Sequence, residues 1–346
     1  MRVLLTGIDG YLGAVMAPVL LERGHDVVGL DAGYYRDGLL YDAGTPEVPT
    51  ITKDIRHVTV DDLRGFDAVV HLAELSNDPI GQHRPEITYA INGDGSAQLA
   101  RNARRAGVSR FLYSSSCSVY GAGGTEWKTE ESPTEPLTAY AACKLRTEGI
   151  LSILADDSFS PTALRNATAY GASPRMRFDI VLNTFAGLAW TTKEIVMVSD
   201  GTPWRPLVHA RDIAEAFACV LDAPREAVHN QVLNVGCNEE NYRVRQIAEI
   251  VAGAFPGTTA SFGPPSADGR SYRVSFDRIG SVLPAFRCRH TAATGAAELR
   301  GIFERIAMTG ETFRFRAFTR LAQLQHLLES GRLDDQFYFK AESAAA

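Results

Sequence analysis

A tyrosine and a lysine at helical spacing are the first residues in this sequence with the potential for acid–base chemistry. Tyr140 and Lys144 lie four residues apart, so in a helix their side chains share one face. A phenol, with a pKa of about 10, is a poor base at neutral pH, but a neighbouring cation stabilises the phenolate and lowers that pKa. The spacing alone is common. The Tyr140/Lys144 spacing is more informative here because the pair comes one strand–helix unit after the strand that carries Ser114–Ser116.

A glycine-rich turn near the start of the chain predicts a phosphate-binding site. Gly7, Gly10 and Gly13 lie between a predicted strand and a predicted helix, with Tyr11 and Leu12 in the same turn. At this spacing the first glycine permits a tight turn, the second lets a pyrophosphate approach the backbone, and the third allows close packing of helix on strand. The helix N-terminus adds unpaired N–H groups and a positive dipole end. The turn therefore favours dinucleotide binding over a purely structural role.

The acid at the end of the second predicted strand favours NAD over NADP. Asp31 stands 18 residues after Gly13, where a carboxylate accepts hydrogen bonds from the adenosine ribose and repels a 2′-phosphate. Asp54 and Ile55 end the third predicted strand and are expected to border the adenine. The alternative for Asp54 is a plain surface position.

The elements that must position these residues alternate between short apolar strands and amphipathic helices. Strands that are apolar on both faces belong to parallel sheets covered by helices, and the alternation is typical of βαβ units. The fold class is therefore α/β, with a Rossmann-type doubly wound parallel sheet. The predicted strands are Arg2–Thr6, Asp26–Asp31, Ile51–Ile55, Ala68–Ala73 and Arg110–Ser114. The predicted helices are Tyr11–Arg23, which Pro18 should kink, Pro85–Ala106 and Ala139–Leu154.

From about Pro174 the pattern changes to that of a smaller α/β lobe. We predict an NAD-binding domain over residues 1–173 and a mainly substrate-binding lobe over residues 174–343, interleaved because later strands join the first sheet. The predicted helices are Arg175–Trp190, His209–Leu221, Val244–Ala254 and an amphipathic Phe318–Leu328 that should dock on a lobe as core. The predicted strands are Glu194–Ser199 and Gln231–Gly236, and Pro256–Arg270 is expected to be a loop.

Composition and charge argue against several other classes of protein. The 346 residues are 45% hydrophobic and carry a formal net charge of −6, which gives no electrostatic footprint for nucleic acid or an anionic membrane. We expect neither a signal peptide nor a membrane span. The five cysteines are scattered without CxxC spacing, as expected in a reducing cytoplasm without structural zinc. His71 and His209 are expected to be core histidines, so we predict no metal.

Together these features resemble the extended short-chain dehydrogenase/reductase family, in its nucleotide-sugar epimerase/dehydratase branch. The resemblance covers nearly the whole chain. Besides the glycine turn and the Tyr140/Lys144 pair, the matching segments are His71–Ala73, Ser114–Gly121, Leu164–Gly171, Arg205–Asp212 and Asn234–Gly236. Several of these are weak individually, but their order and spacing are jointly specific.

The resemblance implies a role for each matching residue. Tyr140 would act as general base and acid, Ser116 would share the substrate proton with it, and Lys144 would bind the nicotinamide ribose. At the cofactor it places Leu72, Ala73, Asn92 and Ala167. At the substrate it places Ser76, Ser116, Ser118, Thr168, Asn183 and Arg205, with Arg270 and Arg273 as competing candidates for a second phosphate contact. A surface salt bridge is the alternative for each arginine.

Departures from the family pattern narrow the expected chemistry. Family 4,6-dehydratases carry an Asp-Glu pair where this chain has Cys117 and Ser118, and the related decarboxylases keep the glutamate. Without a carboxylic acid there, elimination has no obvious proton donor, so dehydration and decarboxylation are disfavoured. Cys117 is either a proton donor or a packed thiol. Glu74 stands where relatives often have a small residue, and it is either a salt-bridged structural group or an additional acid/base.

We therefore expect a cytoplasmic NAD-dependent epimerase of a nucleotide-activated sugar. The sugar would be oxidised transiently to a keto intermediate, and the hydride would return to its other face. One alternative is a nucleotide keto-sugar reductase that consumes NAD(P)H, and a minor one is a non-catalytic dinucleotide sensor on the same fold. The resemblance also implies a homodimer through the helices Pro85–Ala106 and Ala139–Leu154.

Overall fold

A seven-stranded parallel sheet is the largest element of the computed structural model, which describes residues 1–76, 84–122, 124, 126–265 and 271–340. The strands of the described residues are β1 Arg2–Thr6, β2 Asp26–Asp31, β3 Thr50–Thr52, β4 Ala68–His71, β5 Arg110–Ser116, β6 Trp127–Lys128, β7 Ser160–Asn166, β8 Thr168–Tyr170, β9 Glu194–Val196, β10 Trp204–His209, β11 Gln231–Val235, β12 Asn241–Arg243, β13 Thr259–Ser261 and β14 Arg273–Val274.

The strand order creates a crevice in the middle of the large sheet. The order is β11-β7-β5-β4-β1-β2-β3, and every neighbouring pair is parallel. The chain runs outward from β1 through β2 and β3, then returns to β4 on the other side of β1. The carboxyl ends of β1 and β4 thus form a topological switch point, where ligands of doubly wound sheets bind.

Helices cover both faces of this sheet and build the second lobe. Their bounds are Gly13–Glu22, Pro85–Thr88, a π-helical Tyr89–Gly95, Ser96–Ala106, Ala139–Leu154, Val181–Thr191, Ala210–Asp222, Arg225–Val228, Val244–Ala254, Asp277–Val282, Ala292–Arg305, Gly310–Phe313 and Arg320–Glu329. Among the described residues, no helix combines the length and the apolar character needed to cross a bilayer.

Three hydrophobic clusters hold these layers together. Alternate residues of β1 enter different clusters, with Leu5 on one face of the sheet and Leu4 on the other, as the period of a strand requires. The third cluster lies in the second lobe around Phe178 and Phe303. Leu324, on the helix Arg320–Glu329, belongs to the cluster that contains Leu4. This last helix, hereafter the C-terminal helix, therefore packs on the nucleotide-binding half of the molecule.

The predicted α/β fold is confirmed, and four predicted elements, β1, β2, Ala139–Leu154 and Val244–Ala254, have the predicted bounds. The strand β11 joins the large sheet from the later part of the chain, in accord with the expected interleaving. The division at residues 173 and 174 stays a prediction.

Several predicted boundaries were wrong. The helix predicted over Arg175–Trp190 begins only at Val181, because the backbone N–H of Phe178 donates instead to the carbonyl oxygen of Phe318 and Arg177 pairs with Asp179. The predicted Ile51–Ile55 strand ends at Thr52, since Asp54 accepts a hydrogen bond from the Arg56 N–H and starts a short helical turn. Pro85–Ala106 is interrupted by its π-helical segment, and the loop predicted after Pro256 contains β13.

A buried ion pair joins three elements directly behind the crevice. Glu148, on the helix Ala139–Leu154, accepts hydrogen bonds from Nε and Nη2 of Arg165 on β7, at 3.0 and 2.7 Å. It also accepts one from Ser115 on β5, and Arg165 donates to Tyr120. Both charged side chains are about 5% exposed. The helix that carries Tyr140 and Lys144 is thus fixed to the sheet by a fully hydrogen-bonded charge pair.

We predict that Glu148→Gln lowers the free energy of unfolding by about 3–5 kcal/mol, because it leaves the Arg165 charge buried and unpaired. Urea denaturation measures the loss. Asp61→Asn is the matched control, since it breaks the exposed Asp61–Arg64 pair and should cost about 1 kcal/mol or less. Equal losses in the two variants would contradict the importance of this pair.

Candidate active site

A cavity of about 540 Å³ opens at the carboxyl ends of the central strands. It begins at the glycine turn after β1, passes the ends of β2, β4, β5 and β7, and reaches β10 of the second lobe. Its wall includes most of the residues expected to do chemistry. A single continuous cavity therefore joins the glycine turn to the second lobe.

The glycine turn has the geometry that a pyrophosphate requires. Gly7 has φ +78°, in the left-handed region that favours glycine. A Cβ on Gly13 would lie 2.1 Å from the Gly7 carbonyl oxygen, so only glycine allows the helix to start this close to β1. The cavity is lined by Gly7, Gly10, Tyr11, Leu12 and Gly13. The backbone here can approach a phosphate group closely.

Asp31 lies in the cavity wall at the end of β2, as predicted. Its two carboxylate oxygens accept hydrogen bonds from the backbone N–H groups of Gly33, at 2.7 Å, and Asp9, at 3.1 Å. Burial raises the pKa of Asp31 to about 6, although these hydrogen bonds oppose the shift. Asp54 and Ile55 also line the cavity. Asp54 is paired with Arg56 at 2.6 Å and 13% exposed, so it is not a plain surface acid.

The helix Ala139–Leu154 brings Tyr140 and Lys144 to the cavity together. It begins after Thr138, whose hydroxyl oxygen accepts a hydrogen bond from the Ala141 N–H at 3.2 Å. The Lys144 ammonium lies 5.2 Å from the centre of the Tyr140 ring. Ser116, at the end of β5, lines the same cavity and accepts a hydrogen bond from the Ser118 N–H. The structure thus brings together the three residues expected to be catalytic.

Glu74 is the immediate partner of Lys144. Its Oε2 lies 2.6 Å from Lys144 Nζ, and the two side chains are 2% and 4% exposed. The ammonium also donates to the Ser114 carbonyl oxygen. Burial lowers the pKa of Lys144, but the Glu74 carboxylate, together with the Tyr140 and Cys143 side chains, outweighs it, and the pKa is raised. Of the two alternatives for Glu74, the structure shows the salt-bridged one, and its partner is the candidate catalytic lysine.

A chain of hydrogen bonds connects this ion pair to the backbone beside the glycine turn. Glu74 Oε1 accepts from the Tyr113 hydroxyl at 2.7 Å and from Ser96 at 3.2 Å. Ser96 bonds His71 Nε2, and His71 Nδ1 bonds the Thr6 hydroxyl, both at 2.8 Å. Burial lowers the pKa of His71 to about 3, so its ring is neutral. As expected, His71 is a hydrogen-bonded core histidine.

Other predicted residues divide into those at the cavity and those behind it. The cavity is also lined by Leu72, Ala73, Ser76, Ser118, Ala167, Thr168 and Arg205. Three residues predicted to contact a ligand, Asn92, Asn183 and Arg273, do not line the cavity. The Asn92 amide hydrogen-bonds the backbone N–H and carbonyl of Leu75, and the Asn183 amide hydrogen-bonds the Gly171 N–H and the Arg177 carbonyl. The Arg273 guanidinium lies over the rings of Trp127 and Trp204. Asn92 and Asn183 instead fix backbone with their amides. Arg270 lies outside the described residues.

A further group of residues that was not predicted from the sequence lines the cavity. They are Tyr34, Tyr35, Arg177, Asp179 and Arg320. Arg177 and Asp179 were assigned to a helix, and Arg320 to a core helix. An arginine in an otherwise apolar helix stripe was the one available signal.

Similarity to known proteins identifies the family of this chain. A family model described as "Epimerase: NAD dependent epimerase/dehydratase family" matches residues 3–236. This chain belongs to that family. The match confirms the predicted family. It also confirms the predictions that the chain is an enzyme and that its cofactor is NAD.

Individual proteins similar to this chain include nucleotide-sugar epimerases. A UDP-glucose 4-epimerase of Corynebacterium glutamicum is 32% identical over 267 residues, which cover 72% of this chain and 79% of the relative. A second UDP-glucose 4-epimerase, from Mycolicibacterium smegmatis, is 30% identical over 297 residues, which cover 82% of this chain and 92% of the relative. A solved structure, "MoeE5 in complex with UDP-glucuronic acid and NAD", is 27% identical with a TM-score of 0.75, covering 88% of this chain and 99% of that one.

We predict that NAD binding weakens as Asp31 becomes protonated. The neutral acid loses acceptor capacity for the ribose hydroxyls, so the Kd for NAD should rise about tenfold between pH 7 and pH 5, across the pKa of about 6. Fluorescence titration of the apoprotein measures the Kd. Asp31→Asn should bind NAD more weakly and lose this pH dependence. A constant Kd between pH 7 and pH 5 would contradict the assignment.

We predict that Glu74→Gln moves the alkaline limit of activity to lower pH. Without the carboxylate, burial is no longer offset and the pKa of Lys144 falls, so the lysine loses its proton at a lower pH. The measurement is the pH–rate profile of variant and parent. If Glu74 were itself the proton donor, activity would instead disappear at every pH. Superimposable profiles would show that the ion pair has no effect on Lys144.

Proposed function

We propose that this protein is an NAD-dependent 4-epimerase of a UDP-hexose, such as UDP-glucose. The observation that carries the proposal is that Ser116, Tyr140 and Lys144 line the same cavity as the glycine turn. This cavity also reaches Arg205. The UDP-glucose 4-epimerases similar to this chain support the nucleotide-sugar epimerase predicted from the sequence. The proposal adds two details to that prediction: the inverted carbon is C4 of the sugar, and the base of the nucleotide is uracil.

The residues of the cavity fit the cofactor of the family. The left-handed Gly7, the close helix start at Gly13 and the ribose acid Asp31 form a cradle at one end, and Lys144 lies at the other. These residues would hold NAD, which when bound accepts a hydride from the sugar carbon and returns it to the opposite face.

Tyr140 is the proton-transfer group in this proposal. Its phenolate would take the proton of the sugar hydroxyl, with the Ser116 hydroxyl sharing the hydrogen bond, and give it back after inversion. The positive charge of Lys144 favours the phenolate, and Glu74 keeps that charge in place despite burial. The three side chains thereby move one proton each way without net consumption of acid or base.

The acids of the cavity wall and the buried thiol of Cys117 argue against elimination of water. The cavity is lined by four carboxylates among the described residues, each already engaged: Asp31 with backbone N–H groups, Asp54 with Arg56, Glu74 with Lys144 and Asp179 with Arg177. Cys117 donates to the Arg165 carbonyl oxygen, and burial raises its pKa, so it is a packed thiol. Neither it nor Ser118 replaces the acid of a dehydratase.

We further propose a cytoplasmic homodimer that acts in carbohydrate biosynthesis. The five cysteines are free thiols, in accord with a reducing compartment. Tyr89 and Ile153, on the two helices expected to pair, are 41% and 84% exposed, which supports an interface there. Ala97 and Ala100 are at most 1% exposed, so these two small residues pack within the subunit.

We predict that Tyr140→Phe lowers kcat by a factor of about 10²–10⁴ while NAD binding is retained, because only the transferable proton is lost. The assay follows interconversion of UDP-glucose and UDP-galactose by chromatography, with NADH absorbance recorded in parallel. Tyr89→Phe, which removes an exposed phenol on another helix, is the control and should keep full activity.

Three outcomes of this assay would count against the proposal. Full activity of Tyr140→Phe would favour a different catalytic group. Stoichiometric consumption of NAD(P)H by the parent would favour the ketoreductase alternative. Turnover of other nucleotide sugars but not of UDP-hexoses would refute the substrate assignment and leave the mechanism standing.

A further inference from the structure

Arg320 is a buried arginine of the cavity wall whose guanidinium is not ion-paired within the described residues, although Asp179 and Asp31 lie near enough to oppose the lowering of its pKa. It is the first residue of the C-terminal helix and is 3% exposed. Within the described part of the chain, its guanidinium has neither an ion pair nor a hydrogen bond, and its contact is the face of the Tyr35 ring at 3.9 Å. Burial and the nearby Arg177 lower the pKa of Arg320 to about 10, so it stays charged at neutral pH. A buried, unpaired charge is expensive to keep, which points to an anionic ligand.

Tyr35 adds a second unsatisfied group in the same place. It lines the cavity, and its buried hydroxyl has no hydrogen-bond partner among the described residues. Buried polar groups are nearly always hydrogen-bonded. A guanidinium stacked on the ring that carries this hydroxyl, in one cavity wall, forms a ready donor set for phosphate oxygens.

The neighbours of Arg320 locate it between the two ends of the dinucleotide cradle. Tyr35 follows β2, which ends at the ribose acid Asp31. The loop of Arg177 lies against the glycine turn, because the Asn183 amide donates to both the Arg177 carbonyl, at 3.1 Å, and the Tyr11 hydroxyl, at 3.3 Å. Arg177 itself is neutralised by Asp179 at 2.8 Å. Arg320 is therefore a second arginine between the glycine turn and the ribose acid, and unlike Arg177 its guanidinium is not ion-paired among the described residues.

We propose that Arg320, assisted by the Tyr35 hydroxyl, binds the pyrophosphate of NAD, so that the C-terminal helix completes the cofactor site. The family match ends at residue 236, so this contact lies outside the shared pattern. A 2′-phosphate is a poorer candidate ligand because Asp31 is close enough to Arg320 to affect its charge and would repel it. The proposal rests on the NAD cofactor of the family and not on the identity of the sugar.

The test compares cofactor fragments with and without phosphates. Arg320→Met keeps an apolar stem against Tyr35 but removes the charge, and calorimetry or fluorescence gives the Kd of the apoprotein for NAD, ADP-ribose and adenosine. The affinities for NAD and ADP-ribose should fall about 10- to 100-fold, as for loss of a charge-assisted hydrogen bond, while binding of adenosine is unchanged. Tyr35→Phe should show a smaller loss with the same pattern.

Controls separate this role from a structural one. Arg332→Met removes an exposed arginine just beyond the same helix and should leave all three affinities unchanged. The melting temperature of Arg320→Met without ligand should equal or exceed that of the parent, because a buried charge has been removed, whereas the stabilisation by NAD should shrink. If the methionine variant does not fold, Arg320→Lys is measured in the same series and should lie between parent and methionine behaviour.

Specific results would overturn the proposal. An equal loss of adenosine affinity would mean that Arg320 shapes the adenosine pocket and does not bind phosphate. Unchanged NAD affinity with weakened UDP binding would assign Arg320 to the substrate diphosphate. Failure of the proposed UDP-hexose activity leaves this test intact, because every readout is cofactor binding.

Discussion

The site depends on keeping one positive charge in a nearly dry environment. Lys144 is buried beside Tyr140. Without compensation, desolvation would lower the pKa of its ammonium and favour the neutral amine. Glu74 supplies that compensation at 2.6 Å, and the hydrogen bonds from Tyr113 and Ser96 hold the carboxylate where it is needed. Because the same network continues through His71 to Thr6, the positive charge beside Tyr140 is fixed relative to the glycine turn.

This arrangement explains how a glutamate can stand in the wall of this cavity beside Lys144. A glutamate beside a cofactor would normally add a like charge next to phosphates and a competing base. Here its charge is cancelled by Lys144, and the other carboxylates of the cavity are cancelled by Arg56, by Arg177 or by backbone N–H groups. The Tyr140 phenol is then the proton-transfer group that we propose, and it suits reversible oxidation and return better than elimination of water.

Much of the site could be predicted because it is encoded locally. The glycine turn, Asp31 at a strand end and the Tyr140/Lys144 pair each follow from spacing within one element, and the structure brings them to one cavity. Contacts between distant segments could not be predicted in this way. Asn92 and Asn183 are used for backbone support, and Arg320 reaches the cavity because the C-terminal helix packs on the opposite half of the molecule. An amphipathic pattern indicates which face is buried, but not what it is buried against.

The most direct test of the central claim is a crystal structure of the protein with NAD and UDP-glucose. The account predicts that Lys144 Nζ keeps its ion pair with Glu74 while it donates to the nicotinamide ribose, and that the Tyr140 hydroxyl and Ser116 both reach the sugar hydroxyl beside the nicotinamide ring. A complex in which Lys144 contacts Glu74 but not the ribose, or in which Tyr140 points away from the nicotinamide, would contradict it.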